Sequence, residues 1–385
     1  MINHLYYGDN LQVLRDSIAT ESIDLVYLDP PFNSQASYNV LFKSQDGAQS
    51  QAQIEAFEDT WHWNDHAERA FDEVMQSGNG DVAELLRALR MFLKENDMMA
   101  YLTMMCIRLL ELHRVLKPMG SLYLQCDPTA SHYLKILLDG ILGAFNFRNE
   151  TIWKRTSGHS DAKRFGPVHD TIFFYTKTDN FTWNQTFQPY EQWYVEQYYH
   201  YEDSGGRRWM SDNLSASGLS GGGYEYEWKG VTRIWRCPVT TMQRLHDAGK
   251  IYYTKNGIPR IKRYLDEAKG MPTQDVWGDI QALRSWHEER LGYPTQKPVA
   301  LLERIVEASS KEGDVVLVFN CNSNSMYLSC LYPVCDGGCH AESCGTPQLY
   351  VRGDARVGAV EPESYGRGAS GGACEDRSGV SCGSA

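Results

Sequence analysis

The sequence predicts an α/β fold in which short buried strands alternate with helices around a parallel sheet. SIDLVYL (22–28) and GSLYLQC (120–126) are apolar runs with the length of buried strands. MMCIRLLELHRVL (104–116) has apolar residues at the three- and four-residue spacing of a helix. Alternation of this kind is typical of parallel sheets with crossover helices.

The remaining elements follow in order along the chain. The helix over 104–116 ends at Lys117-Pro118, because proline cannot continue a helix. HYLKILLDGIL (132–142) is a second helical segment, which begins after the turn at Asp127-Pro128-Thr129. VALLERIVEAS (299–309) predicts another helix, and it leads to the strand DVVLVF.

The segment between about 150 and 290 has a different texture. It contains strand patterns such as TIFFYTK (171–177), Gly-rich turns at 205–206 and 221–223, and a KNG turn at 255–257. We therefore interpret it as a module inserted into the α/β core.

Length and net charge exclude some classes of protein. None of the 385 residues belong to a continuous apolar stretch of about 18 to 20 residues, and the opening MINHLYYGDN lacks the layout of a signal peptide. We expect a cytoplasmic protein that does not bind a membrane. The formal charge of −12 argues against general coating of nucleic acid.

Basic residues are nevertheless concentrated in two segments. Residues 229–263 carry nine basic residues and one acidic residue, and residues 148–177 carry six and three. Aromatic residues are interleaved in both. Because basic groups pair with phosphates and rings stack on bases, the two segments favour contact with nucleic acid. A solvated basic face over aromatic core residues is the alternative.

The segment DLVYLDPPFN (24–33) places a carboxylate and two prolines at the end of a predicted strand. The carboxyl ends of parallel strands are where open α/β sheets bind ligands. The prolines supply carbonyl acceptors at a fixed φ without N–H donors. Asp29 and a proline carbonyl can accept both protons of an exocyclic amine while Phe32 stacks on the ring, and adenine fits this description.

Because of the DPPF segment at 29–32, the sequence resembles the amino-group DNA methyltransferases. It resembles their permuted subgroup, in which the catalytic motif precedes the cofactor motif. The resemblance covers residues 1–317 approximately. Within this family, the chain is most similar in kind to the type III modification subunits. DPPF (29–32) is weak alone, but five further segments occur in the order of the family. They are LKPMGSLYLQCDPTASHYLK (116–135), IWKRTSGHSDAKRFGPVHDTIFFYTK (152–177), YEYEWKG (224–230), IYYTKNGIPRIKRYLDE (251–267) and GYPTQKPVALLERIVEASSKEGDVVL (292–317).

The resemblance implies a Rossmann-like methyltransferase sheet with an inserted target-recognition module. It implies transfer of the methyl group of S-adenosylmethionine to the N6 amine of a flipped adenine in a specific sequence of double-stranded DNA, without a metal. The expected organisation is a catalytic half (1–150), a target-recognition module (151–290), a cofactor-binding half (291–325) and an anomalous tail (326–385). A restriction subunit is a further partner implied by the resemblance, and a homodimer stays open.

The resemblance also assigns site residues. The catalytic residues are Asp29, Pro30, Pro31 and Phe32. The cofactor-binding residues are Asp9, Thr295, Gln296, Lys297 and Pro298. Eleven basic residues are predicted to contact DNA: Lys154, Arg155, Lys163, Arg164, Lys229, Arg233, Arg236, Lys255, Arg260, Lys262 and Arg263.

Several of these residues have a structural alternative. Residues 295–298 are also consistent with an ordinary turn before a helix, and Asp9 is a good N-cap for LQVL. For Asp127 we favour helix capping. The WHW segment at 61–63 is consistent either with a loop over the target base or with packing.

The chain departs from the family after GDVVL. Family members continue with an Asp-Pro-Phe-x-Gly-x-Gly turn whose glycines let the backbone pass under the cofactor. Here residues 318–325 read VFNCNSNS without glycine, so we expect weakened or absent cofactor binding. Residues 326–385 resemble low-complexity coil, as a shift of the coding frame near 318 predicts. A zinc site from Cys335, Cys339, His340 and Cys344 is disfavoured by its spacing.

Three alternatives stay open on function. The first is a catalytically inactive relative that binds DNA through residues 150–290. The second is cytosine-N4 methylation, which ranks lower because enzymes of that kind more often carry serine at the position of Asp29. The third is an RNA substrate, which charge and aromatic content do not distinguish from DNA.

Overall fold

The computed structural model describes residues 4–7, 9–30, 37–40, 54–58, 61–158, 163–216, 218, 221–284, 286–290, 296–320 and 325–330. Three predicted site residues, Pro31, Phe32 and Thr295, lie outside these ranges. Residues 321–324 of the turn and residues 331–385 of the tail also lie outside them. The tail includes Cys335, Cys339, His340 and Cys344, for which a zinc site was considered and disfavoured.

Eight α-helices occur in the described part of the chain. They are α1 (Asn10–Ser17), α2 (Asp65–Gln76), α3 (Gly80–Leu93), α4 (Asp97–Val115), α5 (Ser131–Leu138), α6 (Gln192–Tyr198), α7 (Val239–Asp247) and α8 (Val299–Ser309). An asparagine precedes each of α2, α3 and α4, and its side chain accepts a hydrogen bond from the first turn of the helix. These caps explain where the three helices begin.

The strands are numbered in chain order. They are β1 (His4–Tyr7), β2 (Ile23–Asp29), β3 (Ser37–Val40), β4 (Ile54–Glu58), β5 (Leu116–Cys126), β6 (Phe147–Lys154), β7 (His169–Thr176), β8 (Phe187–Gln188), β9 (Tyr201–Glu202), β10 (Arg208–Asn213), β11 (Tyr224–Trp228), β12 (Val231–Trp235), β13 (Ile251–Tyr253), β14 (Pro259–Tyr264), β15 (Met271–Pro272), β16 (Val276–Trp277), β17 (Val315–Asn320) and β18 (Ser325–Cys330). Of these, β3 and β4 form a separate antiparallel pair.

Eight strands form the main sheet in the order β1-β18-β17-β2-β5-β7-β6-β16. The neighbours β17, β2 and β5 run parallel. Antiparallel pairing flanks them, through β7 on one side and β18 on the other. The predicted α/β class is therefore confirmed, although the sheet is mixed rather than wholly parallel.

Helices cover both faces of this sheet. Alternate residues of β2 point to opposite sides, so that Val26 and Leu28 pack in the core that contains buried residues of α1 to α5. Leu25 and Tyr27 pack on the other side with Leu301 of α8. Burial on both faces explains why β2 has an apolar run rather than an alternating pattern.

The predicted boundaries of the inserted module are too wide at both ends. The module was predicted over 151–290, but β6, β7 and β16 belong to the main sheet. All of β7 after its first residue is buried, because it lies between β5 and β6. The apolar sequence of β7 is therefore explained by a central place in the main sheet. This place cannot be recognised from where β7 occurs along the chain.

The chain leaves the main sheet between β8 and β15, which pair with each other. We call residues 187–272 the excursion. It contains a four-stranded sheet, β13-β14-β10-β9, and the hairpin β11-β12. Gly270 lies at its base with φ +101°, and a Cβ there would approach the carbonyl oxygen of Gln188 to 2.3 Å. Only glycine allows this close approach.

The excursion has a small core of its own. Trp228 and Trp235 of the hairpin are buried there against Met242 of α7 and Ile251 of β13. This core is distinct from the two that line the main sheet.

The prediction of coil from residue 326 onward is wrong for its first residues. Residues 325–330 form β18, which pairs with β17 and β1 at the edge of the main sheet. The sequence SMYLSC is short and mostly apolar, and its strand structure depends on these two partners from distant parts of the chain. Among the described helices, none is both long and apolar enough to cross a bilayer.

Candidate active site

Asp29 is the last residue of β2 and is only 3% exposed. Its Oδ2 accepts a hydrogen bond from Nζ of Lys297 at 2.6 Å. No described residue hydrogen-bonds to its buried Oδ1. One oxygen of the carboxylate is thus held by a cation, and the other is a buried acceptor at the carboxyl edge of the sheet that receives no hydrogen bond from a described residue.

Burial and charge act in opposite directions on this carboxyl. Burial raises the pKa of Asp29 above that of an ordinary aspartate, and the nearby Asp170 raises it further. The ammonium of Lys297 lowers the same pKa through its charge and its hydrogen bond. Because burial is the largest effect, the net shift of the pKa is upward.

A chain of buried polar groups lies beside Asp29. The hydroxyl of Tyr27 donates to Oε1 of Gln125 at 2.5 Å, and Nε2 of Gln125 donates to Oδ2 of Asp170 at 2.9 Å. Burial, Asp29 and Asp170 together raise the pKa of Tyr27 well above its usual value, so its hydroxyl stays protonated as a donor. The chain links three adjacent strands, β2, β5 and β7.

Arg155 completes this chain at its far end. Its Nε lies 3.0 Å from Oδ1 of Asp170, which is almost fully buried. The distance is that of an ion pair, although this oxygen accepts no well-directed hydrogen bond from a described residue. Arg155 was predicted to contact DNA, and here it neutralises a buried acid, with 42% of its side chain exposed.

Lys297 is held in a braced turn before α8. Nε2 of Gln296 donates to the carbonyl oxygen of Glu289 at 2.7 Å. The carboxylate of Glu289 accepts from the backbone N–H of Val299 at 3.2 Å, and so caps α8 in place of the preceding Pro298. Of the predicted cofactor residues Gln296, Lys297 and Pro298, Lys297 is therefore the one that contacts the Asp29 carboxylate in the described structure. Their contact with the cofactor stays a prediction.

Asp9 follows β1 at the same edge of the sheet. Its Oδ1 accepts from the backbone N–H of Leu11 at 2.8 Å, so it is the N-cap of α1, as the alternative interpretation predicted. Nη2 of Arg108 lies 3.7 Å away. Because 62% of its side chain is exposed, capping does not prevent a second role in binding the cofactor.

The packing interpretation of the WHW segment is correct for Trp63. Its Nε1 donates to Glu68 at 3.0 Å, and the guanidinium of Arg90 lies 4.5 Å from the centre of its ring. For Asp127, the side chain accepts from the backbone N–H of Thr129 at 2.9 Å in the turn before α5. The prediction that Asp127 caps this helix is wrong, because the N-cap of α5 is Ala130, and Asp127 stabilises the preceding turn instead.

The eleven predicted DNA-contacting residues fall in two places. Lys154, Arg155, Lys163 and Arg164 lie at the end of β6 or in the connection to β7. Since β6 runs parallel to β5 across their shared neighbour β7, this connection leaves the sheet at the same edge as Asp29. The other seven lie in the excursion: Lys229, Arg233, Arg236, Lys255, Arg260, Lys262 and Arg263.

Several basic residues of the excursion have internal partners. Nε of Arg263 lies 3.3 Å from Asp212, and Nε of Arg260 donates to Ser211 at 2.6 Å. Nε of Arg236 donates to the carbonyl oxygen of Ser215 at 3.0 Å. Arg233 and Lys255 are exposed, and within the described ranges neither forms an ion pair. Their contact with DNA stays a prediction.

Four residues of the site were not predicted from the sequence: Tyr27, Gln125, Asp170 and Glu289. The available signal was a polar side chain inside an apolar strand, as for Gln125 in GSLYLQC and Asp170 in HDTIFF. A buried polar group requires a partner, so such an interruption marks a buried network. Across the described residues, no group of His, Cys, Asp or Glu side chains has the arrangement of a metal site.

Comparison with known proteins gives a consistent result. The N6/N4 methyltransferase family model, described as DNA methylase, matches residues 23–321. Over 340 residues the chain is 27% identical to the Mod subunit of the type III restriction-modification enzyme StyLTI from Salmonella typhimurium, which covers 83% of this chain and 48% of that protein. Over 235 residues it is 30% identical to the type II methyltransferase M.EcaI from Enterobacter cloacae, which covers 59% and 51%.

The chain thus spans about half the length of these relatives. Among solved structures, it is similar to M1.HpyAVI in its complex with SAM. The identity is 10%, the TM-score is 0.29, and the match covers 81% of this chain and 80% of that one.

The polar chain beside Asp29 makes a prediction about stability. Replacing Gln125 with leucine leaves the Tyr27 hydroxyl and the Asp170 carboxylate without their shared partner. We expect Gln125→Leu to lower the free energy of unfolding by about 2–4 kcal/mol. The measurement is urea denaturation followed by circular dichroism.

The matched control is Gln185→Leu, because Gln185 is exposed and bonds only to a neighbouring backbone carbonyl at 3.1 Å among the contacts seen. It should change the free energy of unfolding by less than about 0.5 kcal/mol. Equal effects of the two substitutions would show that the buried chain contributes nothing.

Proposed function

This chain belongs to the N6/N4 DNA methylase family, and on that premise we propose that it transfers the methyl group of S-adenosylmethionine to the N6 amine of adenine in double-stranded DNA. The observation that supports this proposal best is the Asp29 carboxylate. It lies at the carboxyl end of a central parallel strand, with Oδ2 bound to Lys297 and with Oδ1 an acceptor to which no described residue bonds. Buried Pro30 follows directly.

The chemistry follows from the properties of the amine. Its lone pair is delocalised into the purine ring, so it is a weak nucleophile. Hydrogen bonds from its two protons to Oδ1 of Asp29 and to the carbonyl of Pro30 favour a pyramidal nitrogen with a localised lone pair. As the N–CH3 bond forms, the bond from the sulfonium sulfur to the methyl group breaks with its electron pair left on sulfur, and the methylated nitrogen releases one of its two protons towards the Asp29 carboxylate and then to solvent. The residues act by positioning and by electrostatics, and no covalent intermediate with the protein is required.

The groups at this edge fit the proposed cofactor. S-adenosylmethionine supplies the methyl group when it is bound. The carboxylate of Asp9 is exposed at the same edge as Asp29 and is suited to accept hydrogen bonds from ribose hydroxyls. Gln296 lies next to Lys297 in the braced turn, where its amide donates to the carbonyl oxygen of Glu289. Its proposed contact with the cofactor rests on its position and on the family resemblance.

Adenine is proposed over cytosine because residue 29 is aspartate. Cytosine-N4 enzymes use similar chemistry but more often carry serine at this position. Flipping the base costs a few kcal/mol, which contacts elsewhere must offset. The basic residues of the excursion and of the β6–β7 connection are proposed to supply these contacts. The name of the type III relative supports a restriction subunit as a further proposed partner.

The first prediction of this proposal concerns Asp29. Asp29→Ala removes the acceptor for one amine proton, so we expect the formation of N6-methyladenine to fall at least about 100-fold. The measurement is mass spectrometry of nucleosides from duplex DNA incubated with protein and S-adenosylmethionine. N4-methylcytosine as the product of the unsubstituted protein would assign cytosine as the substrate instead.

The control is Asp24→Ala in the same strand. Asp24 pairs with Lys117 at 2.6 Å near the amino end of β2, away from the proposed site. This variant should still methylate DNA. If methylation persists in Asp29→Ala, the role of Asp29 is refuted.

The second prediction separates an active enzyme from an inactive DNA-binding relative. Asp9→Ser keeps an N-cap on α1 but removes the second carboxylate oxygen. By calorimetry we expect saturable binding of S-adenosylmethionine to the unsubstituted chain, weakened because residues 318–325 lack the glycines of the family. Binding to Asp9→Ser should be about tenfold weaker still. A flat titration for the unsubstituted chain, together with retained DNA shifts in a gel, would leave only the inactive relative.

The third prediction concerns the excursion. Arg233→Ala removes an exposed cation, so the slope of log K against log salt for duplex DNA should become shallower by about one unit. Fluorescence anisotropy over a range of salt concentrations measures this slope. Arg207→Ala is the matched control, because Arg207 is already paired with Asp266 and Glu267 at 2.8 and 3.0 Å. Equal slopes for Arg233→Ala and the unsubstituted chain would remove Arg233 from the DNA interface.

A further inference from the structure

We propose that Lys297 is a positioning residue, which orients the Asp29 carboxylate and keeps it ionised for methyl transfer. This inference rests on the proposed function. It replaces the predicted contact of Lys297 with the cofactor by a role that acts through Asp29. Three features of the described structure carry it: the geometry of the pair, the burial of both side chains and the bracing of the turn.

The two oxygens of the Asp29 carboxylate have different surroundings, and we assign them different roles. Nζ of Lys297 lies 2.6 Å from Oδ2, which fixes the rotation of the carboxylate about its Cβ–Cγ bond. Oδ1 then has a defined direction, and no described residue bonds to it. An amine proton of the substrate can therefore use Oδ1 while Lys297 stays on Oδ2.

Both partners are buried, with 11% of the Lys297 side chain and 5% of the Asp29 side chain exposed. A buried carboxylate without a cation takes up a proton more readily than one in water. A protonated Asp29 presents a hydroxyl donor where the reaction needs an acceptor. The pairing with Lys297 opposes this protonation, since it lowers the pKa that burial raises.

The other ionisable groups around Asp29 do not replace Lys297. Asp170 on β7 raises the pKa of Asp29 by repulsion. Tyr27 on β2 and Cys126 on β5 are buried with raised pKa values, so both are neutral. Arg155 is engaged with Asp170. By sequence, residues 31–36 contain no ionisable side chain.

The turn that carries Lys297 is fixed from both sides. Pro298 restricts the backbone after it, and Gln296 before it is bonded to the carbonyl of Glu289. The carboxylate of Glu289 also caps α8. Three separate restraints thus hold the Lys297 ammonium in contact with Asp29. A fixed ammonium of this kind is what a positioning role requires.

The test compares Lys297→Met with Lys297→Arg. We measure kcat/KM for DNA methylation against pH, with KM for S-adenosylmethionine determined at each pH. For Lys297→Met we expect a loss that is at least about tenfold greater at about pH 6 than at about pH 9, because the neutral carboxyl accumulates at low pH. Lys297→Arg should recover most of the activity and the original pH profile.

The matched control is Lys117→Met, which breaks the Lys117–Asp24 pair of the same 2.6 Å length at the other end of β2. It should leave the pH profile of methylation unchanged. A loss in Lys297→Met that is independent of pH and confined to KM for S-adenosylmethionine would overturn the proposal in favour of cofactor contact.

Thermal unfolding provides a second readout that does not depend on activity. With Lys297 removed, the pKa of Asp29 in the folded protein rises further above its unfolded value. The stability associated with the protonated carboxyl is complete below the unfolded pKa and is lost as pH rises through the folded pKa. The Tm deficit of Lys297→Met should therefore grow as pH rises.

Adding Asp29→Asn to Lys297→Met should remove this dependence of the deficit on pH. A deficit in Lys297→Met that does not change with pH would contradict the proposal. If the unsubstituted chain forms no methylated base, the proposed function fails, and the unfolding data still decide whether Lys297 controls the charge of Asp29.

Discussion

The parallel alignment of β17, β2 and β5 is the constraint on which the site depends. Parallel strands end at the same edge of a sheet, so Asp29 lies beside Asn320 and one strand away from Gln125. The helix that precedes β17 must begin at this edge in order to cross back over the sheet. Lys297 therefore reaches Asp29 across 268 residues of sequence as a consequence of topology.

The same edge concentrates negative charge in a buried place. Asp29 and Asp170 repel each other, and each has one basic partner from another element, Lys297 and Arg155. Loss of one partner from a buried ion pair typically costs about 3–5 kcal/mol, because the remaining charge is uncompensated. A fold selected for stability alone has no need of two such carboxylates. An acceptor at this edge that serves the proposed reaction would account for the presence of Asp29 there.

The features that were predictable from the sequence are those that depend on residues close together in the chain. The apolar run before Asp29 predicted both a buried strand and a carboxylate at its end, because both depend on adjacent residues. The pairing of Lys297 with Asp29 was not predictable in this way, since it depends on how distant strands and helices pack. The assignment of β7 to the inserted module failed for a related reason: a strand pattern gives burial and length, but not the sheet that the strand joins. The strand at 325–330 was missed because its pairing partners, β1 and β17, are not apparent in its own composition.

The basic balance of residues 229–263 overstates the charge available to DNA. Arg260 and Arg263 lie three positions apart in β14, so they project to different faces, as their separate partners, Ser211 and Asp212, show. On the face of Arg260, Lys262 lies 5.3 Å from the ring of Trp209, which stacks on Tyr201 at 4.4 Å. Trp209 is buried, so its ring packs inside the excursion and is not open to a base. Lys262 lies near this internal ring and Arg263 near an internal carboxylate, so neither charge is wholly available to phosphate. Side chains alternate between the two faces of β14, and the face determines which internal partner each basic residue meets. A count of basic residues along the sequence treats all of them as equally available.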